Sequence, residues 1–197
     1  MAGPHEELEH AEHVEHAGHS NKKIALLIAV LALGLAISET LGKSAQMDGL
    51  NENIKASDTW AFFQAKTIRQ TTLRTAAQAL ELQLASFEDE PQKTATAKQI
   101  ADWQKTVARY DSEPETQEGR KELMARAKRA EAKHDRALAA YHHYEMASAA
   151  VQIAIVLASA AIITGVTVLI WLSGVLGIVG LAFIPIGFFW PTAVHLF

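Results

Sequence analysis

From Met146 to Phe197 the chain runs fifty-two residues without an Asp, Glu, Lys or Arg, and His195 is the only titratable side chain in that stretch. One helical crossing of a bilayer needs about 20 apolar residues, so the stretch is long enough to cross twice. Ser173-Gly174, following Trp171-Leu172, offers the turn. The sequence therefore predicts a transmembrane hairpin, TM2 over 147–172 and TM3 over 175–195. Gly174, Gly177 and Gly180 recur every third residue, a spacing that lets helices approach closely in lipid. Pro185 frees the carbonyl of Leu181 and should kink TM3.

A third span precedes these two. Lys22-Lys23 lead into the unbroken apolar run Ile24–Ile37, too short by itself for a hydrocarbon core about 30 Å thick, so TM1 is expected over 22–42. That extension draws Glu39 into the edge of the membrane. An intramembrane carboxylate is a candidate for an ion or proton pathway; the alternative is an interfacial pair with Lys43, four residues on in the favourable orientation. Gly34, Ser38 and Gly42 recur every fourth residue and form a second small-residue packing stripe.

Residues 43–146 are polar and rich in Ala, Gln, Glu, Lys and Arg. After the looser Met47–Asn53 stretch, Ser57 or Asp58 can cap a helix running to about Phe87. Its Leu73, Ala77, Leu80, Leu84 and Phe87 are spaced four, three, four and three, the seam of a coiled coil. Pro91 can open a second helix carrying Ile100, Trp103 and Val107, which stops near the turn residues Tyr110–Pro114. A third helix is expected from about Glu115 through Leu123, Ala127, Ala130, His134, Ala137 and Tyr141, with no stop signal before TM2. The fold class predicted is thus an all-α membrane protein: three transmembrane helices, with a long antiparallel helical-hairpin, coiled-coil-like soluble domain between TM1 and TM2. Trp60, Phe62, Phe63, Lys66, Arg69 and Arg74 form a candidate interaction face for phosphate headgroups or a partner's acidic surface, against the plainer reading of a solvated helix face. Tyr141-His142-His143-Tyr144 belongs in an aromatic belt at the membrane interface.

The first 21 residues interleave five histidines with five glutamates and contain almost no apolar side chain. Such a tail cannot offset its ordering entropy and is expected to be disordered. His10, His13, His16 and His19, three apart, could instead gather zinc or copper on a helix, although no defined four-ligand spacing is present.

Cysteine is absent, which excludes disulfides and thiolate chemistry. None of the nucleotide-binding, hydrolase or zinc-protease motifs occurs, and no cofactor is expected beyond a metal on the tail. A net charge of −4 gives no support for a nucleic-acid partner. Three spans place the tail and the central domain on opposite sides. Lys43, Lys55, Arg129, Lys133 and Arg136 favour a cytoplasmic domain, while Lys22 and Lys23 argue the other way.

The segments NKKIALLIAVLALGLAISETLGKSAQ, ASDTWAFFQAKTIRQTTLRTAAQALE and ARYDSEPETQEGRKELMARAKRAEAKHDRALAAYHHYEMASAAVQIAIVLASA resemble an uncharacterised bacterial membrane family, domain of unknown function 4337. The resemblance covers the chain from Asn21 onward, and WAFFQAKTIRQT at Trp60–Thr71 is its most specific string. It implies a small bacterial inner-membrane protein with this three-segment layout and carries no catalytic residue. The expected role is a non-enzymatic scaffold that self-associates through its small-residue membrane faces, sits among membrane lipid and offers its stalk to a protein partner. The alternatives are an ion or proton pathway through Glu39 and metal binding by the tail.

Overall fold

A computed structural model describes residues 4–193, with side chains described from Lys22 to Ala193. Over those residues the chain is all-helical: α1 (Pro4–Leu84), α2 (Glu90–Asp111), α3 (Arg120–Thr164) and α4 (Thr167–Phe189). Three of them, α1, α3 and α4, hold segments long and apolar enough to cross a membrane. The chain divides into two compact units, Met1–Asp48 with Arg136–Phe197, and Gly49–Asp135.

The first helix is longer than its local sequence signals suggest. The expected pause at Met47–Asn53 is absent, and α1 continues through it. Weak helix formers there are outvoted by neighbours on both sides, because propensity is a small term against tertiary packing. The helix also begins at Pro4, upstream of the boundary where a disordered tail is expected to give way to TM1. Near its other end the chain turns, with the Ser86 amide donating to the Gln83 carbonyl at 2.9 Å. Pro91 then occupies the first turn of α2 as expected, where its missing N–H is no loss.

α3 starts at Arg120 rather than Glu115, because 112–119 form a built turn. The Glu122 carboxylate accepts from the Ser112 hydroxyl at 2.7 Å and from the Glu113 amide at 3.2 Å. Gln117 takes a positive φ of 59°, and its side-chain amide donates to the Pro114 carbonyl at 2.8 Å.

The largest departure from expectation is the second turn. Ser173-Gly174 lies inside α4, and the chain reverses at Gly165, where φ is +70°. The Gly165 amide donates to the Ala161 carbonyl at 2.9 Å, the left-handed glycine ending that lets a helix stop abruptly. α3 therefore ends at Thr164 and not at 172, while α4 runs 167–189 and not 175–195.

In the unit formed by the apolar segments, Leu31, Val151 and Ala154 make the core, with Leu27, Leu35, Ile155, Leu176 and Leu181 packed around them. In the unit Gly49–Asp135, partners pair in opposite order along α1 and α3: Gly49 with His134, Trp60 with Glu131, Thr67 and Gln70 with Arg120. The later part of α1 meets α2 instead, through Gln70 to the Val107 carbonyl and Gln104 to Glu81. The seam from Leu73 to Leu84 thus belongs to α2, and α3 covers only the portion before it.

Candidate functional site

Polar chemistry within the apolar helices concentrates where α1 crosses α3. The hydroxyls of Ser38 and Ser148 lie 2.8 Å apart, and Ser38, wholly buried, also donates to the Leu35 carbonyl at 2.9 Å. One residue further along α1, the Glu39 carboxylate accepts from the Gln152 side-chain amide at 3.4 Å. The alternative partner Lys43 makes no ion pair with Glu39 among the described residues. Gln152 is the only side-chain amide in the charge-free stretch. That uniqueness was the available signal for its pairing with the only carboxylate of TM1. Both residues are exposed on the outer surface of this unit.

Above this pair a groove of about 360 Å³ is lined by Ser38, Glu39, Gly42, Lys43 and Gln46 from α1 and by Tyr141, Tyr144, Glu145 and Ser148 from α3. His142 reaches Glu145 at 3.6 Å. Its neighbour His143 does not sit in an exposed belt. It is buried, stacks on Phe183 with centroids 6.0 Å apart, and approaches the Pro191 carbonyl at 3.1 Å through Nε2. A carbonyl only accepts, so Nε2 carries the proton, and the buried Nδ1 has no partner among the described residues.

Most of the small residues expected at helix contacts pack inside one chain. A Cβ added at Gly177 would come within 2.6 Å of Leu31, and one at Gly180 within 2.8 Å of Val151; one at Gly34 would collide with Leu181. Gly42 faces Tyr144 at ordinary contact distance, whereas Gly174 faces open space. Gly187, not singled out by spacing, abuts His143 and Tyr144. Ser173 is buried and donates to the Ala154 carbonyl at 2.7 Å. All but Gly174 of these glycines are thus used in contacts within the chain.

The expected interaction face on α1 is likewise turned inward. Lys66 is buried, its ammonium 5.4 Å from the Phe62 ring centroid and 5.6 Å from that of Tyr110. It pairs with Glu113 at 3.4 Å and donates to the Glu118 carbonyl. Trp60 Nε1 donates to Glu131 at 2.7 Å and its ring meets Phe63 edge-on. Arg120 covers the other side of Phe63 at 5.2 Å. These side chains fasten the 112–119 turn and α3 onto α1. Only Arg69 and Arg74 remain exposed, so the basic patch is smaller than its sequence suggests.

A second groove in this unit, about 620 Å³, sets Glu52, Lys55 and Asp58 of α1 opposite Arg126, Arg129 and Lys133 of α3. The Lys55 hydrogen bond, reinforced by the charges of Lys55 and Lys133, holds the Glu52 carboxyl below the usual range. His10, His13, His16 and His19 lie outside the residues whose side chains are described. Among the described residues no group of three or more His, Asp or Glu is placed to hold a metal.

The fold and its polar pair define a class: an all-helical protein with three helices long and apolar enough to cross a membrane, compatible with a multi-pass membrane protein. Within that class the chain belongs to the family described as domain of unknown function (DUF4337), whose model matches residues 20–190. No curated protein and no solved structure matches it.

Proposed function

We propose that the chain is a non-catalytic, multi-pass protein of the bacterial inner membrane that self-associates in the bilayer and offers its helical unit Gly49–Asp135 to a protein partner. The observation that carries this reading is the outer face of the apolar helices, where Ile163, Trp171 and Ile178 are 84%, 74% and 71% exposed and are joined by Leu26, Leu33 and Val156. Soluble monomers rarely leave apolar patches larger than a few hundred Å² open to water, and lipid removes that cost. The antiparallel contacts of α1 with α3 support a stiff presenting element. Lys43, Lys55, Arg129, Lys133 and Arg136 favour its cytoplasmic placement.

Self-association draws its support from Glu39 and Gln152. They bond to each other at 3.4 Å yet face outward, and polar side chains facing hydrocarbon are costly unless covered by protein. A second copy seated on this face covers them, with the open Gly174 surface as a further contact. Mass measurement of the detergent-purified protein over a range of concentrations should give a stable oligomer, and Glu39→Ala should weaken it. Monomer alone at every concentration would remove the oligomer from the account.

The same pair favours a second reading, in which Glu39 from several copies lines an ion or proton path. Proteoliposomes carrying the wild-type protein should then pass protons or cations, and Glu39→Gln should abolish the flux. Equal flux from both proteins rules the path out.

A further inference from the structure

The groove between α1 and α3 carries two kinds of charge that together suit a zwitterion. Glu39 and Glu145 supply carboxylates, and Tyr141 lies beside them, while the Tyr144 ring is turned against Gly187. Carboxylates and aromatic faces are what a primary ammonium seeks. Lys43 stands in the same groove with no ion pair among the described residues, and a lysine ammonium is a point-charge partner for phosphate. Gly42, Ser38 and Ser148 are small and leave room between the helices, and the volume of about 360 Å³ lies within the range of small-ligand sites.

Its level along the chain completes the match. Glu145 is the last charged residue before the charge-free stretch, and Lys43 follows the apolar run of α1, so on the membrane reading the groove opens at the headgroup layer. We infer that this groove is a binding site for a phospholipid with an amine-bearing headgroup, its ammonium held by Glu145 and its phosphate by Lys43, with Glu39 left to Gln152 and the second copy. The inference rests on the membrane reading and adds a lipid preference to it. An anionic lipid without an amine would bring no cation to the exposed Glu145 carboxylate.

The test uses the full chain in nanodiscs made with equal amounts of phosphatidylethanolamine and phosphatidylglycerol of identical acyl chains, with retained lipid counted by native mass spectrometry. About one phosphatidylethanolamine per protomer is expected, enriched at least several-fold over phosphatidylglycerol. Glu145→Gln, at a side chain that is 59% exposed and so tolerant of change, should abolish the enrichment. Lys43→Gln should reduce retention of both lipids. Equal retention of the two lipids by the wild-type protein, or undiminished enrichment in Glu145→Gln, overturns the site while leaving the membrane reading intact. A chain that enters no disc at all overturns the membrane reading, and the site with it.

Discussion

Lys66 is a cation held out of water between two aromatic rings, and the Glu113 carboxylate and the Glu118 carbonyl depend on it. Replacing it by Ala leaves Glu113, in a partly buried turn, with only the longer contact to Arg109 at 3.8 Å. Removing one partner of a buried pair costs more than the pair contributes; with Glu113 22% exposed, the loss is about 2 kcal/mol. Thermal melts of the detergent-solubilised protein followed by helical ellipticity should show Lys66→Ala unfolding earlier than wild type, while Arg74→Ala, at an exposed position, should not differ. An unchanged melting temperature for Lys66→Ala would mean the turn is held by Glu122 and Arg120 without it. This residue also marks where sequence reasoning stopped short. Lys66 sits in a stretch that reads as a charged helix face, and nothing local reveals that Tyr110 and Glu113, more than forty positions later, close over it.

Individual elements were legible wherever a local chemical rule fixes them. α2 lies almost where Pro91 and Pro114 place it, because proline constrains the backbone without reference to the rest of the fold. The turn between α3 and α4 was misplaced because glycine has two uses in such a segment. Gly165 supplies a left-handed turn, whereas Gly177 and Gly180 supply close approach, and the difference depends on the helix that packs against them. A matched pair of substitutions separates the uses. A Cβ at Gly180 meets Val151 at 2.8 Å and the Ala147 carbonyl at 3.1 Å, so Gly180→Ala should destabilise the apolar unit by about 1–3 kcal/mol. Gly174→Ala meets nothing and should be neutral or slightly stabilising in the same melt, since alanine favours helix.

The turn joining α2 to α3 carries two carboxyls whose hydrogen bonds respond to acid. A hydrogen bond from Lys121, at 2.8 Å, holds the Asp111 carboxyl below its usual range. The Ser112 hydroxyl does the same for Glu122. Groups depressed in the folded state stabilise it above their unfolded pKa values, about 4, and that contribution is lost as pH falls through the folded values. Lys121 is raised by Asp111, so its share is lost only at the alkaline end, above about 10. Amide exchange over residues 111–123, corrected for intrinsic rates, should therefore be well protected from neutral pH down to about 5 and lose protection below about 4. Ser112→Ala should shift the Glu122 part of that loss to higher pH. Protection that stays constant through the acid range would show that these contacts do not hold the turn.

At the scale of the whole molecule, the apolar inventory was readable from the sequence because charge depletion is a property of composition, needing no knowledge of contacts. What the sequence could not show was which small residues would be used internally and which polar ones would be left facing outward, as Glu39 and Gln152 are. The membrane placement proposed above requires an odd number of crossings, three, with the N-terminal tail and residues 49–135 reached from opposite faces. The cysteine-free chain lets this be measured directly with single cysteines at Glu7 and Lys98, probed in intact spheroplasts with a membrane-impermeant maleimide. The account predicts that Glu7→Cys labels without permeabilisation and that Lys98→Cys labels only after it. Labelling of both positions from the same side would contradict it.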